Sequence, residues 1–124
     1  IRWLEARYPA APLVMAGYSF GAWVGLQAAF GEPRVAGMIG LGLPLNLYDL
    51  DFLARYARPA LYIVGTEDEF CSPENLDRFE RKLGTSSSVR RIPGADHFFA
   101  DHAGTVQGLV SEFFLRLPAD GNTL

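Results

Sequence analysis

The chain has 124 residues, 49% hydrophobic and 20% charged, with a net charge of −3 and pI ≈ 5.3. This reads as one soluble globular unit, long enough to bury roughly two-thirds of its unfolded surface in a core. The basic residues are scattered, and Arg90-Arg91 lies in a strand-like segment, which argues against nucleic-acid binding. No apolar run approaches the roughly 18 residues of a membrane span, and a single cysteine, Cys71, excludes an intrachain disulfide and a Cys-based metal site.

Ile1, Leu4 and Tyr8 fall at helical spacing until Pro9, as in the last turns of a helix. Leu13 to Gly17 reads as a buried strand. Phe20 to Phe30 reads as a helix apolar almost all round, hence expected to be buried on several sides. Val35 to Leu43 is a second buried strand, followed by a short helix near Asp49 to Tyr56. Ala60 to Val64 is the third strand. Ser72-Pro73-Glu74 is a helix start, with serine as cap, proline at the first position and an acid in the first turn. Leu76, Phe79 and Leu83 share a face of that helix, and Gly84 is expected to stop it. Ser88 to Ile92 is a polar strand suited to a sheet edge. Val106, Leu109, Val110, Phe113 and Leu117 make a final amphipathic helix, and residues 118–124 a flexible tail. Four alternations of strand and helix predict an α/β fold, a parallel sheet of about four strands with helices on both faces. In such sheets, chemistry collects at the carboxyl ends of the strands.

Three polar residues stand just past strand ends. Ser19 lies in Gly17-Tyr18-Ser19-Phe20-Gly21, between the first strand and an immediate helix. That strand-turn-helix context is what a nucleophile elbow requires. Gly17 and Gly21 are read as the small residues that let a strained turn pass its neighbours. The alternative is an ordinary serine in a tight turn. Asp68 follows the third strand in Gly65-Thr66-Glu67-Asp68, with Glu67 and Glu69 as rival acids. His97 follows the fourth in Pro93-Gly94-Ala95-Asp96-His97-Phe98-Phe99, with His102 as a rival base. A serine hydroxyl needs a base to become nucleophilic. His97 would supply it, Asp68 would orient the imidazole, and the backbone N–H of Phe20 would be one oxyanion donor. Asp96 and Asp101 read as loop-shaping, and Cys71, Trp23 and Phe30 as packing residues.

The three phrases, in this order, resemble the C-terminal half of an α/β hydrolase, and in particular the small cap-less hydrolases of the dienelactone-hydrolase-like branch. The resemblance covers essentially the whole chain and makes residues 1–117 a partial α/β-hydrolase domain. It implies a Ser19–His97–Asp68 triad, a serine hydrolase acting on a carboxylic ester or thioester through an acyl-enzyme, and neither cofactor nor metal. The short stretch from Leu45 to Arg58 implies no cap domain and an open site, with Tyr18, Leu43, Leu45, Leu47 and Tyr48 along its edge. One departure is large: the strands and the loop carrying the second oxyanion donor, which the family places ahead of the serine strand, have no counterpart. Losing one such donor costs about 100- to 1000-fold in rate. The expectation is therefore a fragment, a truncated gene product, or a chain that completes its sheet with a partner, such as a second copy at the serine-strand edge. A non-catalytic binding domain and an acyltransferase are the competing functions. A cytoplasmic location is expected, although a chain starting Ile1-Arg2-Trp3 without methionine leaves the native N-terminus unseen.

Overall fold

The computed structural model of the chain describes residues 1–118. Its strands are β1 (Leu13–Tyr18), β2 (Val35–Leu41), β3 (Ala60–Gly65) and β4 (Ser87–Ile92). They form one parallel sheet in the order β1-β2-β3-β4. The helices are α1 (Arg2–Arg7), α2 (Phe20–Ala29), α3 (Pro73–Arg81) and α4 (Ala103–Arg116), with a 3-10 helix at Asp51–Arg55 where the sequence suggests a short helix. The expected tail falls on residues 119–124, outside the described residues, except for Pro118.

The period-two pattern of the strands builds two cores. On β3, Ala60, Tyr62 and Val64 face one side while Leu61 and Ile63 face the other. This central strand is therefore apolar throughout, as a strand covered on both faces must be. The first side is covered by Ala22, Leu26 and Ala29 of α2 and by Leu76 and Phe79 of α3. The second is covered by the half-buried stripe Val106, Leu109, Val110 and Phe113 of α4. The polar strand β4 is indeed an edge. Its Arg91 pairs with Asp77 and Glu80 of α3 at 2.8 Å each, so one member of the Arg90-Arg91 pair is engaged within the fold.

Two local expectations are corrected. Gly84 does not stop α3 through a left-handed turn. The helix ends at Lys82 in ordinary helical conformation, and Gly84 is not among the residues of positive φ. The start of α3 is as expected, with Ser72 Oγ accepting from the Asn75 N–H at 3.2 Å and Pro73 in the first turn. The second correction concerns α2, which is not buried on several sides. Gly21, Val24, Gln27 and Ala28 are exposed. Among the described residues, this helix packs on the sheet and the neighbouring core and leaves one face uncovered. Correspondingly, β1 is the other sheet edge, and α1 buries none of its residues.

Candidate active site

All four strands run the same way, so the turns after β1, β3 and β4 open at one edge of the sheet. The turn after β1 is tight. A Cβ on Gly17 would lie 2.6 Å from the Ala22 Cα and from the Gly21 carbonyl oxygen, so only glycine lets α2 fold back this closely. Ser19 takes up the strain, with φ 56° and ψ −124°, a conformation that costs a non-glycine residue about 1–3 kcal/mol. Gly21 differs from the sequence expectation. A Cβ there would meet nothing within 4 Å, because it points away from the turn into the open face of α2.

Ser19 occupies the N-cap of α2 yet makes no capping bond. Its Oγ lies 2.8 Å from His97 Nε2 instead. The Phe20 and Gly21 N–H groups, in the first helical turn, have no partner within the helix. They leave a positive helix end beside the hydroxyl.

His97 Nδ1 lies 2.8 Å from Asp68 Oδ2, and the two side chains are only 6% and 0% exposed. The other carboxylate oxygen, Oδ1, accepts from the Phe70 N–H at 2.8 Å. The rival acids Glu67 and Glu69 are exposed on either side of Asp68. The rival base His102 stands at the N-terminus of α4, and the bonds to Ser19 and Asp68 go to His97.

Several devices hold this arrangement. The loops after β3 and β4 are sewn together by Glu67 N–H to the Ala95 carbonyl (2.9 Å) and by Gly94 N–H to Thr66 Oγ1 (2.8 Å). Gly65 permits that approach, since a Cβ there would overlap the Ala95 carbonyl. Asp96 Oδ1 accepts from the N–H groups of Phe98 and Ala100, which is the loop-shaping role read from the sequence. Phe99 has φ 55° and buries its ring in the α4-side core, anchoring the loop, while Phe98 points outward. The His97 ring has the Phe70 ring edge-on at a centroid distance of 4.8 Å and Tyr18 at 5.4 Å.

Three supporting residues escape the sequence reading. Tyr18 does more than border the site: its hydroxyl donates to the His97 carbonyl at 3.0 Å, tying the end of β1 to the loop after β4. Gly42, with φ 60°, sits where a Cβ would crowd both His97 and Tyr18. Asn46 joins the loop after β2 to the acid loop. Its Oδ1 accepts from Ser72 N–H and Asn75 Nδ2, its Nδ2 donates to the Glu69 carbonyl, and its own N–H donates to the Phe70 carbonyl. Neither Gly42 nor Asn46 belongs to a recognisable motif, and only spatial neighbours reveal them.

The expected apolar edge is corrected in part. Leu43 is fully buried and Leu45 half-buried, both turned into the core beneath the site. Leu47 and Tyr18 are exposed, and Tyr48 is half-buried against Trp23. Cys71 is buried, and that burial, reinforced by the Asp68 charge, pushes its thiol up to about 12, as suits a packing residue. Among the described residues no three His, Cys, Asp or Glu side chains are grouped as a metal site would group them, and no helix is long and apolar enough to cross a membrane.

Residues 1–107 match the model of an alpha/beta hydrolase domain. The chain belongs to the α/β-hydrolase family. It resembles a putative α/β hydrolase of Agrobacterium tumefaciens at 30% identity and a TM-score of 0.81, over 93% of this chain and 55% of that one. It resembles an α/β serine hydrolase without a lid from Xanthomonas campestris at 28% identity and a TM-score of 0.78, over 94% and 53%. An uncharacterized protein of Rickettsia prowazekii is 25% identical over 127 residues, covering 95% of this chain and 53% of that protein. The chain thus spans about half the length of the relatives it matches. The connection after β2 runs over residues 42–50 to the 3-10 helix, with no inserted domain above the site.

Proposed function

We propose that the protein is a serine hydrolase that cleaves a carboxylic ester or thioester through an acyl-enzyme. One observation carries this reading: the unbroken chain of short contacts from Ser19 Oγ to His97 Nε2 to Asp68 Oδ2, 2.8 Å at each step. An ionised carboxylate only accepts hydrogen bonds, so with Asp68 as carboxylate, Nδ1 of His97 donates to it and Nε2 is left to accept from the serine hydroxyl. His97 takes that proton as Oγ attacks the ester carbonyl. The Phe20 N–H faces the negative charge that develops on the carbonyl oxygen. His97 then returns the proton to the departing alcohol or thiol. Water, activated by the same imidazole, releases the acid. The strained Ser19 backbone and its unused capping capacity fit a side chain committed to reaction rather than to closing a helix.

Hydrolysis of p-nitrophenyl acetate tests this reading. The chain is expected to turn the ester over with a saturable rate that disappears in Ser19→Ala. A rate equal to that of the Ser19→Ala variant would overturn it.

A second reading has its own support. Among the described residues, the free edge of β1, the uncovered face of α2 and the unburied α1 suit a domain whose role is binding or assembly. That reading expects a folded, associating chain with no turnover.

A further inference from the structure

Phe20, Trp23 and Tyr48 form an aromatic cluster that the triad does not use. Trp23 and Tyr48 stack, with centroids 4.4 Å apart and planes inclined by 16°. Phe20 stands tilted against both, 5.8 Å from each. Trp23 and Tyr48 are half-buried against the core below, whereas Phe20 is 55% exposed and Leu47, in the same loop as Tyr48, is 59% exposed. The cluster therefore has a firm base and an open apolar top. It is also fixed: Asn46 pins the loop bearing Tyr48 to the acid loop, and Trp23 lies one turn along α2 from Ser19.

Its position relative to the triad gives it a role. The cluster packs on the face of the sheet that carries α2 and α3, while the His97 loop is anchored by Phe99 in the opposite core. His97 must reach the leaving group to protonate it, so the alcohol or thiol part of an ester lies on the His97 side. The carbonyl oxygen lies at the Phe20 N–H. The acyl group then projects to the remaining side, that of α2, whose first residue is Phe20. The geometry points to Phe20, Trp23 and Tyr48 as an acyl subsite, and to esters of aromatic acids as the substrate class, an inference that rests on the proposed hydrolase reading. An aromatic ring adds edge-to-face contact with Phe20 that an alkyl chain of equal area lacks.

The test separates binding from turnover. In the Ser19→Ala chain, p-nitrophenyl phenylacetate is titrated while the indole and tyrosine signals are followed by NMR, with the non-aromatic p-nitrophenyl hexanoate in parallel. Saturable shifts of Trp23 and Tyr48 are expected with the phenylacetate ester, weakened about three- to tenfold by Phe20→Ala. Phe20→Ala keeps the backbone N–H, and the exposure of the ring makes it a mild change for folding, which circular dichroism checks. Equal binding of the two esters, shifts confined to other residues, or no saturable binding would each overturn the subsite. Binding at Trp23 and Tyr48 in Ser19→Ala together with no turnover by the unmodified chain would instead refute the hydrolase reading and leave the subsite standing.

Discussion

Asp68 has two jobs on two oxygens: Oδ1 holds the Phe70 N–H and Oδ2 holds His97. Asp68→Asn preserves the shape but presents an amide to Nδ1, favouring the wrong imidazole tautomer. Its kcat for p-nitrophenyl acetate is expected to fall by about 10³- to 10⁴-fold with little change in KM. A loss below tenfold would assign the orienting role elsewhere. The two glycines of the motif separate cleanly. Gly17→Ala drives a methyl group into the backbone of Ala22 and is expected to cost about 1–3 kcal/mol in urea unfolding. Gly21→Ala meets open space inside a helix and is expected to be neutral or to stabilise by up to about 1 kcal/mol. Equal destabilisation by both would contradict the packing described. The sequence could not distinguish them: the pentapeptide treats its glycines alike, and only the path of α2 shows which one it touches.

At the scale of elements, the strands and long helices were legible because burial imposes a period. β3 is apolar at every position, and α4 carries its stripe at three- and four-residue spacing. The start of α3 was legible from Ser72 and Pro73. Ser72→Ala is expected to lower stability by about 1 kcal/mol, read from the shift in thermal midpoint. What misled was α2. An all-round apolar helix signals burial, but burial needs a neighbour, and the periodicity of one helix does not say whether that neighbour lies in the same 124 residues. The order Ser19, Asp68, His97 was legible because parallel strands bring their ends to one edge. The supports at Gly42, Gly65 and Asn46 were not, because each answers to a loop 20 or more residues away.

Across the whole molecule, two features govern behaviour in solution. Among the described residues, the outer edge of β1 pairs with no strand, beside the apolar side chains Leu13, Val14 and Met15. Such an edge recruits further strands, so the chain is expected to self-associate with rising concentration in sedimentation. A strictly monomeric chain at 100-fold different concentrations would show that the edge is closed in some other way. Burial raises both the Cys71 thiol, up to about 12, and the Tyr62 hydroxyl. In each case the unfolded chain ionises first and binds fewer protons than the folded one. Stability is therefore undiminished below about pH 9 and falls as pH rises towards 12, by at most about 1.4 kcal/mol per pH unit and group. Denaturant midpoints measured from pH 8 to 11 check this. The central claim, a serine activated by the His97–Asp68 pair, is tested most directly by incubating the folded chain with a fluorophosphonate and mapping the adduct by mass spectrometry. The account predicts a single adduct on Ser19, slowed at least about 100-fold in His97→Ala. A folded chain that takes up no label, or labels equally fast without His97, would contradict it.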